Sequence, residues 1–405
     1  MSNQKTIGFL LKRVDCNDGV SSHCETLING LKKAGWNVVL ITGPVSYDHN
    51  SIRRFKALQD IAEEWIIFEH LNPLFPSIDC LRRLKSVVSR HGISLFHAHG
   101  YSMLVLARIL KIITGIGCVA TYHPSIHGDD PKALKAETLN SKTQRYKLFL
   151  RLFSPEEFIS YSSEITSFLR QDLGFPETRI RRIFHGIDTD YFRVPNSDER
   201  QAARQKFGFA PSDKVCVLVG RLSWNKGHDV LIEAARHLRE KSPHINLKCL
   251  FVGSGSEEKQ IKEYAFTSVE DAERFKFLGY VDHLREAYWA ADVFTLPSRS
   301  EGFALAVAEA MCCGAVPIRT PAGGAKDQID EGLNGFVVPF DDSEALSDRL
   351  QLLLDQDQLR SQMSEAARNT AQQKFSVTKM VQDTVKLYKE VQLGISEDLI
   401  VVERH

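Results

Sequence analysis

Short runs of β-branched and aromatic residues recur along the chain, separated by helix-length amphipathic stretches. That alternation predicts parallel strands joined by crossover helices. In the first half the runs are Thr6–Leu11, Val38–Thr42, Trp65–Phe68, Leu95–Ala98, Cys118–Thr121 and Phe158–Tyr161. A charged stretch, Pro195–Arg204, interrupts the rhythm, which restarts with Val215–Val219, Leu247–Val252, Phe275–Leu278, Val293–Leu296, Ala315–Arg319 and Phe336–Val338. Alternating strands and helices build doubly wound sheets, so the chain reads as two α/β domains, residues 1–193 and 194–375, followed by residues 376–405. Within that last segment Val377–Val391 has the spacing of one amphipathic helix. Open parallel sheets bind ligands beyond the carboxyl ends of their strands, and two of them in series predict a site between the domains.

The length, 405 residues, exceeds what one compact core fills. With 51 basic and 51 acidic residues the formal net charge is zero, which excludes a uniformly basic nucleic-acid binder. Charge is nevertheless uneven: residues 1–193 carry 25 basic and 19 acidic side chains, the remainder 26 and 32. Eight cysteines are scattered without a Cys-x-x-Cys pair and read as reduced thiols of a cytosolic protein. The apolar run Ile7–Leu11 is shorter than a signal-peptide core. Ser102–Ala120 is interrupted by Arg108 and Lys111, each costing about 2.5–3.5 kcal/mol at a bilayer centre, so it reads as a buried helix followed by a strand. A cytoplasmic location is expected, with peripheral contact at the inner membrane face as an option. The basic amphipathic patterns Leu81–Arg90 and Lys142–Phe153 could lie on an anionic membrane or dock their apolar faces on the sheet.

The segment Leu296–Gly314 reads as strand, loop, helix and terminating glycine. Glu301 precedes the helix and Glu309 lies on it, so the loop can fold the first carboxylate toward the second and both can line one pocket. Backbone N–H groups near Phe303 and Ala304 would sit at the helix N-terminus, where a phosphate is favoured. The alternative is that both glutamates only complement the helix dipole. Arg221 and Lys226, on a glycine loop after a strand, can neutralise a diphosphate leaving group or can be a solvated surface pair. His97 and His99 have the spacing of same-face strand residues, but no further ligands are recognisable and no metal site is expected. Gly253-Ser-Gly255 is half of a dinucleotide fingerprint and weak alone.

Leu296–Gly314 resembles the Glu-x7-Glu motif of retaining GT-B glycosyltransferases, nucleotide-sugar family 4. Val219-Gly-Arg221-Leu-Ser-Trp-Asn-Lys226-Gly227 is similar to that family's Gly-Arg-Leu…Lys-Gly loop, Phe251-Val-Gly253-Ser-Gly255 to its second glycine strand end, and Phe277-Leu-Gly279-Tyr280-Val281 to the loop flanking the base. Pro321-Ala-Gly323-Gly324-Ala325 resembles the glycine turn beside the donor, and Thr121-Tyr-His123 the Thr-x-His strand end. Gly19 falls in the segment similar to the family's Gly-Gly loop, which departs from it by carrying Asp18 at the first glycine. His185-Gly-Ile-Asp188-Thr-Asp190 resembles the Asn-Gly-Val-Asp segment at the hinge, with His185 in place of Asn, and is not read as an Asp-x-Asp metal motif.

The resemblance implies a GT-B fold: two Rossmann-like domains facing a cleft, with the C-terminal helix crossing back to the N-domain. It implies an acceptor on the first domain and a nucleotide-sugar on the second. Catalytic roles fall on Glu301, His123, Arg221 and Lys226. Donor binding falls on Gly19, Arg221, Lys226, Gly253, Tyr280 and Val281, and on Gly302, Phe303, Ala304, Leu305 and Glu309, the last through the ribose. The implied reaction is metal-independent hexosyl transfer with retention, without a resident cofactor. UDP is the expected carrier, glucose or N-acetylglucosamine the expected sugar, and a hydroxyl of a sugar, glycolipid or lipid-linked saccharide the acceptor. A sucrose-type synthase or phosphorylase on the same scaffold is the alternative enzyme, and a catalytically silent scaffold homologue the alternative of another class.

Overall fold

The computed structural model describes residues 5–12, 14, 19–43, 56–123, 155–281 and 283–394. They form two compact units, one from the chain up to Gly186 together with the segment from Val377 onward, the other from Ile187–Ser376. The chain leaves the first unit seven residues before the expected boundary at 193, because Ile187 N–H donates to the Phe375 carbonyl at 2.6 Å and Ile187 pairs with Ser376. The Trp289 indole, donating to the Arg193 carbonyl at 2.6 Å, ties the next residues to the second unit as well.

The first unit holds β1 (Thr6–Leu11), β2 (Asn37–Thr42), β3 (Glu64–Ile67), β4 (Ile93–His99), β5 (Cys118–Thr121), β6 (Glu157–Ser160) and β7 (Ile180–Arg182). Their order is β3-β2-β1-β4-β5-β6-β7 and every neighbouring pair is parallel. β1 is buried along its whole length, as a parallel strand covered on both faces must be. Six strands fall near their hydrophobic runs; β7 carries one apolar residue followed by two arginines and has no such run. The helix after β1 spans Gly19–Lys33, and Ser21 is already part of its buried face.

The C-terminal helix Val377–Leu393 belongs to this unit. Its Met380, Val381, Leu387 and Tyr388 enter one core with Leu27, Leu31 and Trp36. Gly30 makes the approach possible, because a Cβ there would stand 2.4 Å from Val381 Cγ2. The basic helix, Ile78–His91, is capped by Ser77 and buries Cys80, Leu84, Val87 and Val88. Its apolar stripe is therefore covered, while Arg82, Arg83 and Lys85 face out. The other basic pattern, Lys142–Phe153, lies outside the described residues. No helix among the described residues is long and apolar enough to cross a membrane.

The second unit holds β8 (Lys214–Val219), β9 (Leu247–Val252), β10 (Phe275–Phe277), β11 (Val293–Leu296), β12 (Val316–Arg319) and β13 (Phe336–Val337). The order β10-β9-β8-β11-β12-β13 is again parallel throughout, so each unit reverses its strand order beside its first strand. The charged stretch at the boundary is a helix of this unit, Ser197–Lys206, closed by a capping box between Asn196 and Glu199. Arg200 and Arg204 from it grip the two oxygens of Asp292 at 2.8 and 2.7 Å, which fixes the helix beneath the amino end of β8.

Candidate functional site

Loops leave the carboxyl ends of the second sheet, and glycines let those after β8, β9, β11 and β12 touch backbone to backbone. β8 continues through Gly220 and Arg221 into a single 3₁₀ turn, Trp224–Lys226, before the helix His228–Lys241. A Cβ on Gly227 would lie 2.1 Å from the Pro297 carbonyl oxygen, and one on Gly253 would lie 2.0 Å from that of Gly220. Gly255 and Gly323 are equally tight, 2.2 Å from the Leu222 oxygen and 2.3 Å from the Glu301 oxygen. Gly227 and Gly253 also adopt φ of +72° and +141°, which side chains rarely take. The loops are cross-linked as well: Leu222 N–H donates to Ser254 O at 3.1 Å, Gly253 N–H to Gly279 O at 2.9 Å and Arg299 N–H to Asn225 O at 2.8 Å.

This packing brings Lys226 from the β8 loop onto Glu301 from the β11 loop. The ammonium and carboxylate meet at 2.5 Å, and the Ser298 hydroxyl donates to the same oxygen at 2.7 Å. Burial opposes ionisation of Glu301, but the charge and hydrogen bond of Lys226, the Ser298 hydroxyl and the charge of Arg319 outweigh it and hold the carboxyl below its ordinary range. Arg319, fully buried, donates to the Ala322 and Gly323 carbonyls at 2.9 and 3.0 Å and so braces the Pro321–Ala325 turn from below. Gln328 bonds both to Arg319 and to the Ala304 carbonyl. Arg221 is exposed.

Gly302 and the buried Phe303 and Ala304 lead into the helix Leu305–Cys312, whose start has no side-chain cap and no acidic residue. Its first N–H groups are therefore available to an external acceptor. Glu309, farther along, receives a hydrogen bond at 2.7 Å from Tyr288. The two carboxylates share no hydrogen-bond partner: Glu301 is turned to Lys226, Glu309 to Tyr288. Burial pushes the Glu309 carboxyl up to about 7, with the Tyr288 bond acting against it. Tyr280 and Val281 follow β10, Tyr280 being exposed and Val281 half-buried.

His123 lies in the first unit, where β4, β5 and neighbouring segments gather five imidazoles. His99 Nδ1 and His123 Nε2 are 3.2 Å apart, and His23 stacks on His185 with centroids 4.1 Å apart. His97 sits between the Tyr388 hydroxyl at 2.6 Å and the Thr121 hydroxyl at 2.7 Å. His97 and His99 thus have companions that their spacing did not reveal. The rings pack on one another, His23 on His185 and His99 on His123 stacked and the other pairs tilted or edge-on, and among the described residues no cluster suited to holding a metal forms. Gly19 opens its helix with no neighbour among the described residues within 4 Å of a would-be Cβ, and Asp18 lies outside the described residues. Asp188 turns its carboxylate onto the N–H groups of Asp190 and Tyr191, closing a local turn.

Sequence reasoning missed Ser298, Tyr288, Arg319 and the His23–His185 stack. Ser298 sits three residues before Glu301 and was within reach of pattern. Tyr288 stands twenty-one residues from Glu309 on a different element, and only the fold joins them.

Two family models divide the chain: Glycosyltransferase Family 4 matches residues 17–191 and Glycosyl transferases group 1 matches residues 199–370. An uncharacterized glycosyltransferase of Methanocaldococcus jannaschii is 24% identical over 383 residues, 92% of this chain and 94% of that protein. D-inositol 3-phosphate glycosyltransferase of Corynebacterium urealyticum is 28% identical over 75% of this chain and 73% of its own length. Among solved structures, Anabaena HepE in complex with UDP superposes with a TM-score of 0.79 at 20% identity, over 95% of this chain and 100% of that one. The same protein with UDP-glucose gives 0.76 at 21% identity, over 95% and 99%. The fold is GT-B, and the chain is a glycosyltransferase with a family 4 domain followed by a group 1 domain.

Proposed function

We propose that the protein transfers a hexose, glucose or N-acetylglucosamine, from UDP to a hydroxyl acceptor with retention at the anomeric carbon. The observation that carries this reading is the Lys226–Glu301 pair, held where the β8 and β11 loops meet next to an uncapped helix start. Lys226 and Arg221, with the N–H groups at Leu305, supply positive potential for a departing diphosphate. Glu301, kept ionised, accepts from hydroxyls of the transferred sugar as its anomeric bond breaks. Glu309 accepts from the ribose. In this reading the leaving phosphate takes the acceptor proton on the same face, and no side chain acts as nucleophile. The acceptor, a sugar, glycolipid or lipid-linked saccharide, binds the first unit near His123. An anionic membrane presenting a lipid-linked acceptor would meet Arg82, Arg83 and Lys85. Support for UDP comes from the HepE complexes.

Two experiments test the reading. Calorimetry at pH 8, where Glu309 is ionised, should show Glu309→Ala binding UDP about 10- to 150-fold more weakly, the loss of roughly 1.5–3 kcal/mol for a charge-assisted hydrogen bond. Glu301→Ala should bind UDP as the wild type does and lower the turnover number instead, because its contact forms mainly in the transition state. Wild-type UDP affinity in Glu309→Ala would remove the ribose assignment. The second experiment is chelation. Since cationic side chains and backbone dipoles carry the diphosphate charge here, EDTA should leave turnover intact; loss restored by manganese or magnesium would overturn that part.

A further inference from the structure

Glu309 is held from one side. The Tyr288 hydroxyl, on the short helix Arg285–Ala290, donates to Oε2 at 2.7 Å, while Oε1 makes no hydrogen bond among the described residues. Tyr288 is itself fully buried, its ring edge-on to Phe192 at 5.9 Å and tilted against Phe294 at 6.1 Å. Those contacts fix the phenol, so its one O–H is committed to this carboxylate. We propose that Tyr288 is a positioning residue for donor binding: by gripping Oε2 it orients the Glu309 carboxylate so that Oε1 is presented as acceptor to the vicinal diol of the nucleotide's ribose. The inference rests on Glu309 as the ribose ligand.

The surroundings give Tyr288 a second effect, on charge. Burial, then the Glu309 charge and hydrogen bond, push the phenol's own ionisation well above its ordinary range, so it remains a donor. Other titratable groups electrostatically coupled to Glu309 are Tyr191 from the 187–194 segment and Cys312 and Cys313 at the end of its own helix. Burial raises both thiols and Tyr191, so all three stay neutral near pH 7. Arg285 lies over the rings of Tyr191 and Trp289, Arg193 over Trp289, and neither forms an ion pair with Glu309. Tyr288 is thus the group that favours the ionised carboxylate against burial.

The test is UDP calorimetry from pH 6 to 9 on the full-length wild type, Tyr288→Phe, Glu309→Ala and the double variant, with 2′-deoxy-UDP as a second probe. Wild-type affinity should rise through about pH 7 and level off by pH 8. Tyr288→Phe should bind about tenfold more weakly at pH 6.5, with the gap narrowing as pH rises and its midpoint displaced upward. Glu309→Ala should bind weakly, keeping only the pH dependence that titration of UDP's own terminal phosphate at about 6 imposes on every variant, the double variant should match it, and deoxygenation should cost affinity only where Glu309 is present. A Tyr288→Phe loss that is equal at every pH and adds to Glu309→Ala would reduce Tyr288 to packing and overturn the inference, as would an unchanged pH profile. UDP affinity unaffected by Glu309→Ala would instead overturn the ribose assignment beneath it. Should Tyr288→Phe not fold, Glu309→Gln decides: it keeps the Tyr288 contact without ionising and should hold the wild type's low-pH affinity throughout, whereas full high-pH affinity would refute the role of the ionised carboxylate.

Discussion

Acidification from pH 7 to 5.5 is expected to remove much of the first unit's stability. Burial holds His23 down at about 4 and His123 at about 3, and it pushes His97, His99 and His185 well below their ordinary range, with mutual repulsion among the cluster's imidazoles adding in each case except His23. The sign follows from linkage: the unfolded chain takes protons near pH 6.5 and the folded one does not, so stability is lost as pH falls below 6.5. Between pH 7 and 5.5 each such histidine forfeits about 1 kcal/mol, on the order of 5 kcal/mol for five, against a typical stability of about 5–15. In the second unit His228 pulls the same way, while Glu309, raised to about 7, stabilises the fold as pH falls. Urea midpoints read at the two pH values, with proteolysis reporting which unit opens, check this. Both ring nitrogens of His23 are buried without a hydrogen-bond partner among the described residues, so His23→Leu should flatten the acid limb. Equal midpoints at pH 7 and 5.5 would show that the cluster is hydrated and freely protonated.

That cluster marks the limit of what the chain discloses before it folds. Spacing of two placed His97 and His99 on one face of a strand, and there the pattern ended. The other members arrive from the helix after β1, from the end of β5 and from the turn after β7, a strand with one apolar residue. The same reason hid Tyr288, which reaches Glu309 from another element. Elsewhere the pattern was sufficient. Both sheets could be read because parallel strands buried on two faces must be continuous apolar runs, and the β8 and β11 loops because their glycines are written in the sequence. What the glycines do, pressing four loops backbone to backbone until Lys226 meets Glu301, is decided only in the folded chain, because the touching residues are remote in sequence. The charged stretch at 195–204 showed in the pattern only as a break in the rhythm at the start of the second domain, because its partner is remote in sequence: Arg200 and Arg204 spend their charge on Asp292.

The second large effect should come from removing the C-terminal helix. Truncation after Ser376 leaves the second unit's own pairing of Ser376 with Ile187 intact and takes away Val377–Leu393, which the first unit uses as part of its core. Four of its side chains, Met380, Val381, Leu387 and Tyr388, are buried. At about 1.5–3 kcal/mol for each fully buried apolar side chain, the loss is on the order of 6–12 kcal/mol, comparable with the whole stability of a domain. Polar groups suffer too, because His97 Nδ1, buried in the intact unit, loses the Tyr388 hydroxyl. Trp36, edge-on to Tyr388 at 5.6 Å, would be bared, so its fluorescence should shift to the red. The truncated chain should therefore be cleaved by protease throughout the first unit while the Ile187–Ser376 region survives. Two point variants grade the effect. Tyr388→Phe keeps the ring and removes only the hydroxyl, costing about 1–3 kcal/mol, whereas Gly30→Leu drives a side chain into the space Val381 occupies and should approach the truncation. A truncated protein that melts with the wild type and resists protease equally would show that the helix rests on the first unit without supporting it.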